Sequence, residues 1–115
     1  MFTLRWTDAA MQTYADLRAR AESSLANRKQ RGRRKSTRAE GLFKQVHKGL
    51  TLLADNPRHP GLATHLYHGL PHPFDPKGKV FEAYAQNQTP GAYRIFWCYG
   101  PNQKELTIIA ITPHP

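Results

Sequence analysis

Sulfur is scarce in this 115-residue sequence: one cysteine, Cys98, and two methionines. A single cysteine excludes an internal disulfide framework and a cysteine-based zinc site. Cys98 lies in the apolar run Ile95-Phe96-Trp97-Cys98-Tyr99 and reads as a small core or sheet residue, with a reactive thiol as the alternative. Long apolar runs are also missing: none reaches the ~18 residues of a membrane span. Met1-Phe2-Thr3-Leu4-Arg5-Trp6 lacks the basic region and long apolar core of a signal peptide. These absences lead to the expectation of a cytoplasmic protein with no membrane partner. No internal repeat or composition break divides the chain, so residues 1–115 are expected to form one domain with one modest core. A hydrophobic content of 39% argues against general disorder.

Negative charge is scarce as well. Eight acidic residues face 17 lysines and arginines, a formal net charge of +9. That imbalance favours polyanionic partners, because phosphate contacts release condensed counterions. It does not separate RNA from DNA, an acidic protein or a membrane surface. Between Glu22 and Glu40 there is no acidic residue, and Arg28 to Arg38 reads RKQRGRRKSTR. Its seven cations, Arg28, Lys29, Arg31, Arg33, Arg34, Lys35 and Arg38, repel one another and should be exposed. The run reads either as a solvated hairpin tip or as an arm that contacts RNA phosphates. Gly32 and Ser36-Thr37 make it a poor continuous helix.

The hydrophobic pattern predicts an ordered set of elements. Phe2 to Trp6 alternates like a short strand. Thr7 reads as a helix N-cap with Asp8 in the first turn. Met11, Tyr14, Leu17, Ala21 and Leu25 follow at helical spacing, as do Leu42, Phe43, Val46, Leu50 and Leu53 in a second helix that stops before Asn56-Pro57. The two helices should form a hairpin with the basic run at its tip. A short strand is expected at Thr64 to Tyr67 and a loop from Gly69 to Gly78. Further strands are expected at Lys79 to Ala85, Ala92 to Tyr99 and Glu105 to Thr112, with turns at Gly91 and Gly100-Pro101-Asn102. Short connections between consecutive strands favour an antiparallel meander.

This order, with Pro90-Gly91-Ala92-Tyr93-Arg94-Ile95-Phe96-Trp97 in the penultimate strand and a terminal Ile109-Ala110-Ile111-Thr112-Pro113-His114, resembles the RelE/ParE toxin superfamily over nearly the whole chain. The resemblance implies an α+β fold in the order β-α-α-β-β-β, with a helical hairpin packed on a twisted antiparallel sheet. It also implies a toxin held inactive by a cognate antitoxin. The RelE-like branch cleaves mRNA at the ribosome, and the ParE-like branch poisons DNA gyrase without nuclease chemistry. Many relatives continue beyond the last strand with an Arg or Tyr, whereas this sequence stops at Pro115.

Metal-free RNA cleavage needs a base for the ribose 2′-hydroxyl, cations for the phosphorane-like charge and an acid for the leaving 5′-oxygen. Four residues are the catalytic candidates: Arg94, His114, Glu82 and Tyr84. Arg94 reads as a structural ion-pair member or as a bidentate phosphate clamp, and the family resemblance places its catalytic arginine here. His114, between Pro113 and Pro115, reads as a frayed end or as a group that exchanges protons near neutral pH. Glu82 reads as a base or as the counter-charge to Arg94. Tyr84 reads as a packing residue or as a ring on which a base stacks. Lys79 is a candidate phosphate contact, and His65 and His68 are candidate RNA-facing residues near the same groove. His59, His65, His68 and His72 cluster near Asp75, but they lack a recognisable ligand frame. Neither a metal nor another cofactor is expected.

The expected partners are an antitoxin whose acidic segment folds on binding, together with mRNA and the ribosome. Three functions stay open: a ribonuclease toxin, a gyrase inhibitor in which Arg94 is structural and His114 dispensable, and a non-catalytic nucleic-acid-binding module on the same fold.

Overall fold

In a computed structural model of the chain, which describes residues 1–86 and 91–114, the N-terminal strand and the C-terminal strand lie side by side. The elements are β1 (Thr3–Trp6), α1 (Asp8–Gln30), α2 (Arg38–Asp55), a 3-10 turn (Pro60–Leu62), β2 (His65–Leu66), β3 (Phe81–Tyr84), β4 (Tyr93–Tyr99) and β5 (Glu105–Pro113). They form one five-stranded sheet in the order β1-β5-β4-β3-β2. From β2 to β5 the pairing is antiparallel, as the short connections predict. β1 pairs with β5 in parallel, which corrects the expectation of a wholly antiparallel sheet. The whole helical hairpin crosses over between β1 and the rest of the sheet, and such a crossover is what a parallel neighbour requires. Pro90 of the penultimate-strand motif and Pro115 beyond His114 fall outside the described residues.

Both helices begin at threonine caps. The Thr7 side chain accepts from the Ala10 amide, with Asp8 in the first turn of α1. Thr37 and Glu40 form a reciprocal capping box at the start of α2, satisfying amide donors that a helix cannot pair internally. This box sets the hairpin turn inside the basic run. The buried face of α1 is Ala10, Leu17 and Ala21. Met11, expected on that face, is 51% exposed, since Ala10 takes the inward position. Val46, Gly49, Leu50 and Leu53 are buried on α2. α2 approaches the sheet at Gly49, where an added Cβ would come within 2.9 Å of the Ile95 Cδ1.

The core lies between the hairpin and one face of the sheet. It includes Leu17, Val46, Leu50, Leu53, Ala83, Ile95, Trp97, Leu106, Ile108 and Ile111. Side chains alternate across a strand, so Glu82, Tyr84, Arg94 and Phe96 project to the opposite face. Much of that face is covered as well: the Tyr67 ring packs on Phe96 at 4.7 Å, and Phe96, Cys98 and Thr107 are buried. What remains open is the end of the sheet around Tyr84 and the last residues of β5. Among the described residues, no helix is long and apolar enough to cross a membrane.

Candidate active site

A β-bulge sets which face the C-terminal residues join. Phe96 is opposite Ala110, but Trp97 is opposite Ile108, so Ile109 is an extra residue on β5. Ile108 and Ile111 therefore both reach the core although three positions separate them. Past the bulge the alternation is inverted: Thr112 lies opposite Arg94, and the His114 amide donates to the Ala92 carbonyl at 2.9 Å. Without the extra residue, strict alternation from Ile108 would direct positions 110, 112 and 114 to the helix side. Thr7 holds the bulge in place. Its amide donates to the Ile108 carbonyl at 3.0 Å, and its hydroxyl donates to the Ile109 carbonyl at 2.7 Å.

On the face so defined, β2, β3, β4 and the residue just past β5 bring five side chains together. Glu82 is in the centre and its side chain is 1% exposed. His65 faces it across the β2–β3 ladder, with Nε2 2.6 Å from Glu82 Oε1. Just past β5, His114 Nδ1 lies 2.6 Å from Glu82 Oε2. Arg94 Nε is 4.0 Å from the same oxygen, too far for a hydrogen bond. Tyr84 completes the cluster: the Arg94 guanidinium carbon sits 4.0 Å above its ring centre, and the His65 ring meets its edge at 5.8 Å. His114 is therefore tied down by both its backbone and its ring, not a frayed end, and about two-fifths of its side chain remains open to solvent.

Arg94 differs from a phosphate clamp in one decisive respect. Its side chain is only 4% exposed, and Nη1 donates to the Ala92 and Tyr93 carbonyls. A bidentate clamp needs the guanidinium fork presented to the ligand. Here the cation lies beneath the surface, stacked on Tyr84 and next to Glu82. It can set the field at the open end of the sheet, which is a correction to the reading in which it grips phosphate directly. His65 turns its Nε2 to Glu82, while 47% of its side chain remains exposed.

Other candidates lie away from this cluster. His68 and Lys79 are exposed, just past β2 and just before β3. Lys29, Arg31, Arg33, Arg34, Lys35 and Arg38 are exposed at the hairpin tip. Arg28 is not part of that exposed set. Its guanidinium binds Glu40 at 2.7 Å with both side chains largely buried, and Nη1 donates to the Arg33 and Arg34 carbonyls. Arg28 thus shapes the turn, and hydrogen bonding from it holds the Glu40 carboxyl down to about 2. The histidine-rich segment separates into local roles. His59 accepts from the Gly61 amide, and His72 accepts from the Phe74 and Asp75 amides. Among the described residues no group of three His, Cys, Asp or Glu side chains is arranged to hold a metal ion. Burial pushes the Cys98 thiol up to about 11, so it is a poor nucleophile at neutral pH.

Sequence reasoning missed the partnership of His65 with Glu82 and the bulge at Ile109. The first depends on strand register, which has no local signal, although a strand at Thr64–Tyr67 was itself legible; the second left one, in core isoleucines at 108 and 111 three positions apart.

No family model and no curated protein sequence matches the chain. Among solved structures the chain is similar to a YoeB/ParE toxin from Agrobacterium tumefaciens, with a TM-score of 0.58 at 12% identity, covering 98% of this chain and 99% of that one. The likeness extends over nearly the full length of both chains and establishes that they share a fold, in agreement with the RelE/ParE-like architecture expected from the order of elements.

Proposed function

We propose that the chain is the toxin of a toxin–antitoxin pair and acts as a metal-independent endoribonuclease on mRNA at the ribosome. The observation that carries this reading is the convergence of His114, Glu82, Arg94 and Tyr84 at an open end of the sheet. The shared fold with a YoeB/ParE toxin supports the toxin half of the proposal.

The geometry favours a division of labour. Both oxygens of Glu82 are engaged and the residue is buried, so it is not the group that meets RNA. It accepts from His114 Nδ1–H and so leaves Nε2 as the exchanging nitrogen. In the forward step His114 Nε2 takes the ribose 2′-hydroxyl proton, the 2′-oxygen bonds to phosphorus, and the P–O5′ bond breaks. The 5′-oxygen leaves with a proton from solvent or from the returning imidazolium. The products are a 2′,3′-cyclic phosphate and a 5′-hydroxyl. Arg94 contributes a fixed positive charge below the developing phosphorane charge, where low dielectric strengthens its effect. Tyr84 offers a ring on which a base can stack, and the exposed cations of residues 29–38 supply salt-dependent affinity for RNA.

A second reading has its own observation. The burial of Arg94 and its bonds to two backbone carbonyls are what a purely structural arginine would have, as expected for a gyrase inhibitor of this fold. Induced expression of wild type and His114→Ala, with growth followed and mRNA 5′ ends mapped by primer extension, separates the two. New ends with wild type that vanish in the variant support the ribonuclease. Arrest with intact mRNA in both overturns it in favour of gyrase, and no arrest overturns the toxin reading.

A further inference from the structure

Glu82 is an unusual centre for a site. It is 1% exposed, and among the described residues its close partners are two imidazoles, one on each oxygen. The Arg94 Nε stands 4.0 Å away and, among the described residues, has no hydrogen-bond partner. The carboxylate plane is therefore set by histidines from two different strands. Only one of these, His114, is needed by the chemistry above.

The other ring is held at both nitrogens. His65 Nε2 is 2.6 Å from Glu82 Oε1, and Nδ1 is 3.2 Å from the Ala63 carbonyl. A carboxylate oxygen accepts and does not donate, so the short contact to Glu82 is a hydrogen bond donated by His65 Nε2–H. Ala63 is left-handed, with φ 47°, where it ends the 3-10 turn, and that is a conformation a residue with a Cβ seldom adopts. Both side chains are partly open, His65 47% and His114 42% exposed; the two imidazoles differ in that His65 meets Glu82 through Nε2 and His114 through Nδ1.

We propose that His65 is a positioning residue: it donates to Glu82 Oε1 and thereby keeps Glu82 Oε2 aligned on His114 Nδ1, fixing the tautomer and orientation of His114. The proposal rests on the reading of His114 as the proton-exchanging group. Without the His65 donor, Glu82 is free to turn toward the unpaired Arg94 Nε, and His114 loses its anchor. This assigns the His65 Nε2 edge to Glu82 in place of an RNA contact, with the rest of the ring open to solvent.

The test compares wild type, His65→Ala, His65→Gln and His65→Lys by two independent measurements. The first is single-turnover cleavage of a messenger RNA programmed on ribosomes. His65→Ala should lower the rate at saturating RNA by up to about 100-fold, the scale of a misplaced catalytic group, with little change in half-saturating RNA. Gln, whose amide still donates to Oε1, should recover activity better than Lys. A phosphate contact would do the reverse: affinity would fall, and Lys would rescue best. The second measurement is the long-range 1H–15N spectrum of the histidine rings, which needs no activity. Wild type should give a His65 ring carrying hydrogen at Nε2 and a His114 ring carrying hydrogen at Nδ1, and the His114 pattern should change in His65→Ala. Cleavage at the wild-type rate with an unchanged His114 signal overturns the proposal and leaves the ribonuclease intact. No cleavage by wild type, with the His114 signal still dependent on His65, removes the ribonuclease and leaves the positioning contact. Where His65→Ala does not fold, the Gln and Lys variants and the wild-type ring spectrum decide.

Discussion

Replacing Glu82 with glutamine keeps the shape of the side chain and removes its charge, and the structure sets how large the loss of stability should be. Glu82 and Arg94 are 1% and 4% exposed, so solvent screens neither. In Glu82→Gln the Arg94 cation stays buried with only the Ala92 and Tyr93 carbonyls on Nη1 and no anion beside it. Breaking a buried pair from one side costs about 3–5 kcal/mol, a large part of the about 5–15 kcal/mol available to a typical domain. The amide NH2 group of glutamine would also oppose one of the two imidazole donors now at 2.6 Å. Removal of the opposite partner is milder. In Arg94→Met the Glu82 carboxylate keeps both histidines, and the cost falls to the about 1–3 kcal/mol of a disturbed buried polar contact. The double variant, which buries neither charge, should recover part of the Glu82→Gln loss. Urea unfolding at pH 7, followed by fluorescence of the buried Trp97, measures all three. An Arg94→Met variant that loses more stability than Glu82→Gln, or a double variant whose loss equals the sum of the singles, would refute the view that Arg94 depends on Glu82 alone while Glu82 has other partners.

Two further outcomes follow from the caps and the hairpin tip. Thr7→Ala removes both the N-cap of α1 and the hydroxyl bond to the bulged Ile109 carbonyl; stability should fall by about 1–2 kcal/mol, and RNA cleavage should fall at temperatures where the variant is still folded, because the bulge aims His114. Normal cleavage by folded Thr7→Ala would count against that coupling. The Glu40 carboxyl, held down to about 2 chiefly by hydrogen bonding from Arg28, adds stability that is full above its ordinary value of 4.5 and is lost as pH falls toward about 2. Glu40→Gln should therefore flatten the acid limb of the stability–pH curve in that window, and urea midpoints that fall equally steeply in both proteins would show that the pair contributes nothing there.

What was legible in the sequence was local. The Thr7 cap, the spacing of Val46, Leu50 and Leu53 and the stop at Asn56-Pro57 each depend on neighbours a few residues away, and each element formed where its pattern placed it. Met11 was misplaced by one position because Ala10 and Met11 are both apolar and the spacing alone does not rank them. The capping box of Thr37 and Glu40 is a local signature in the sequence, whereas the pairing of Arg28 with Glu40 depends on how the hairpin turns between them. Non-local features left no such trace. The parallel pairing of β1 with β5 joins residues about 100 positions apart, and the match of His65 to Glu82 depends on the register of a two-residue strand.

The bulge at Ile109 bears most directly on function, because it decides what kind of residue His114 is. Read as a strict alternation, β5 sends Ile108 and His114 to the same side, and a histidine there would face the apolar hairpin. One extra residue reverses that assignment. It lets Ile108 and Ile111 both fill the core and carries His114 across to Glu82. The pattern Ile108-Ile109-Ala110-Ile111 is itself the trace of this, since two core positions three apart fit no flat strand. The bulged carbonyls are bound by Thr7, the same residue that starts α1. One residue thus both caps the first turn of the helical hairpin and binds the bulge five positions before His114. A change that loosens the start of α1 should be felt at His114, although His114 lies at the other end of the sequence.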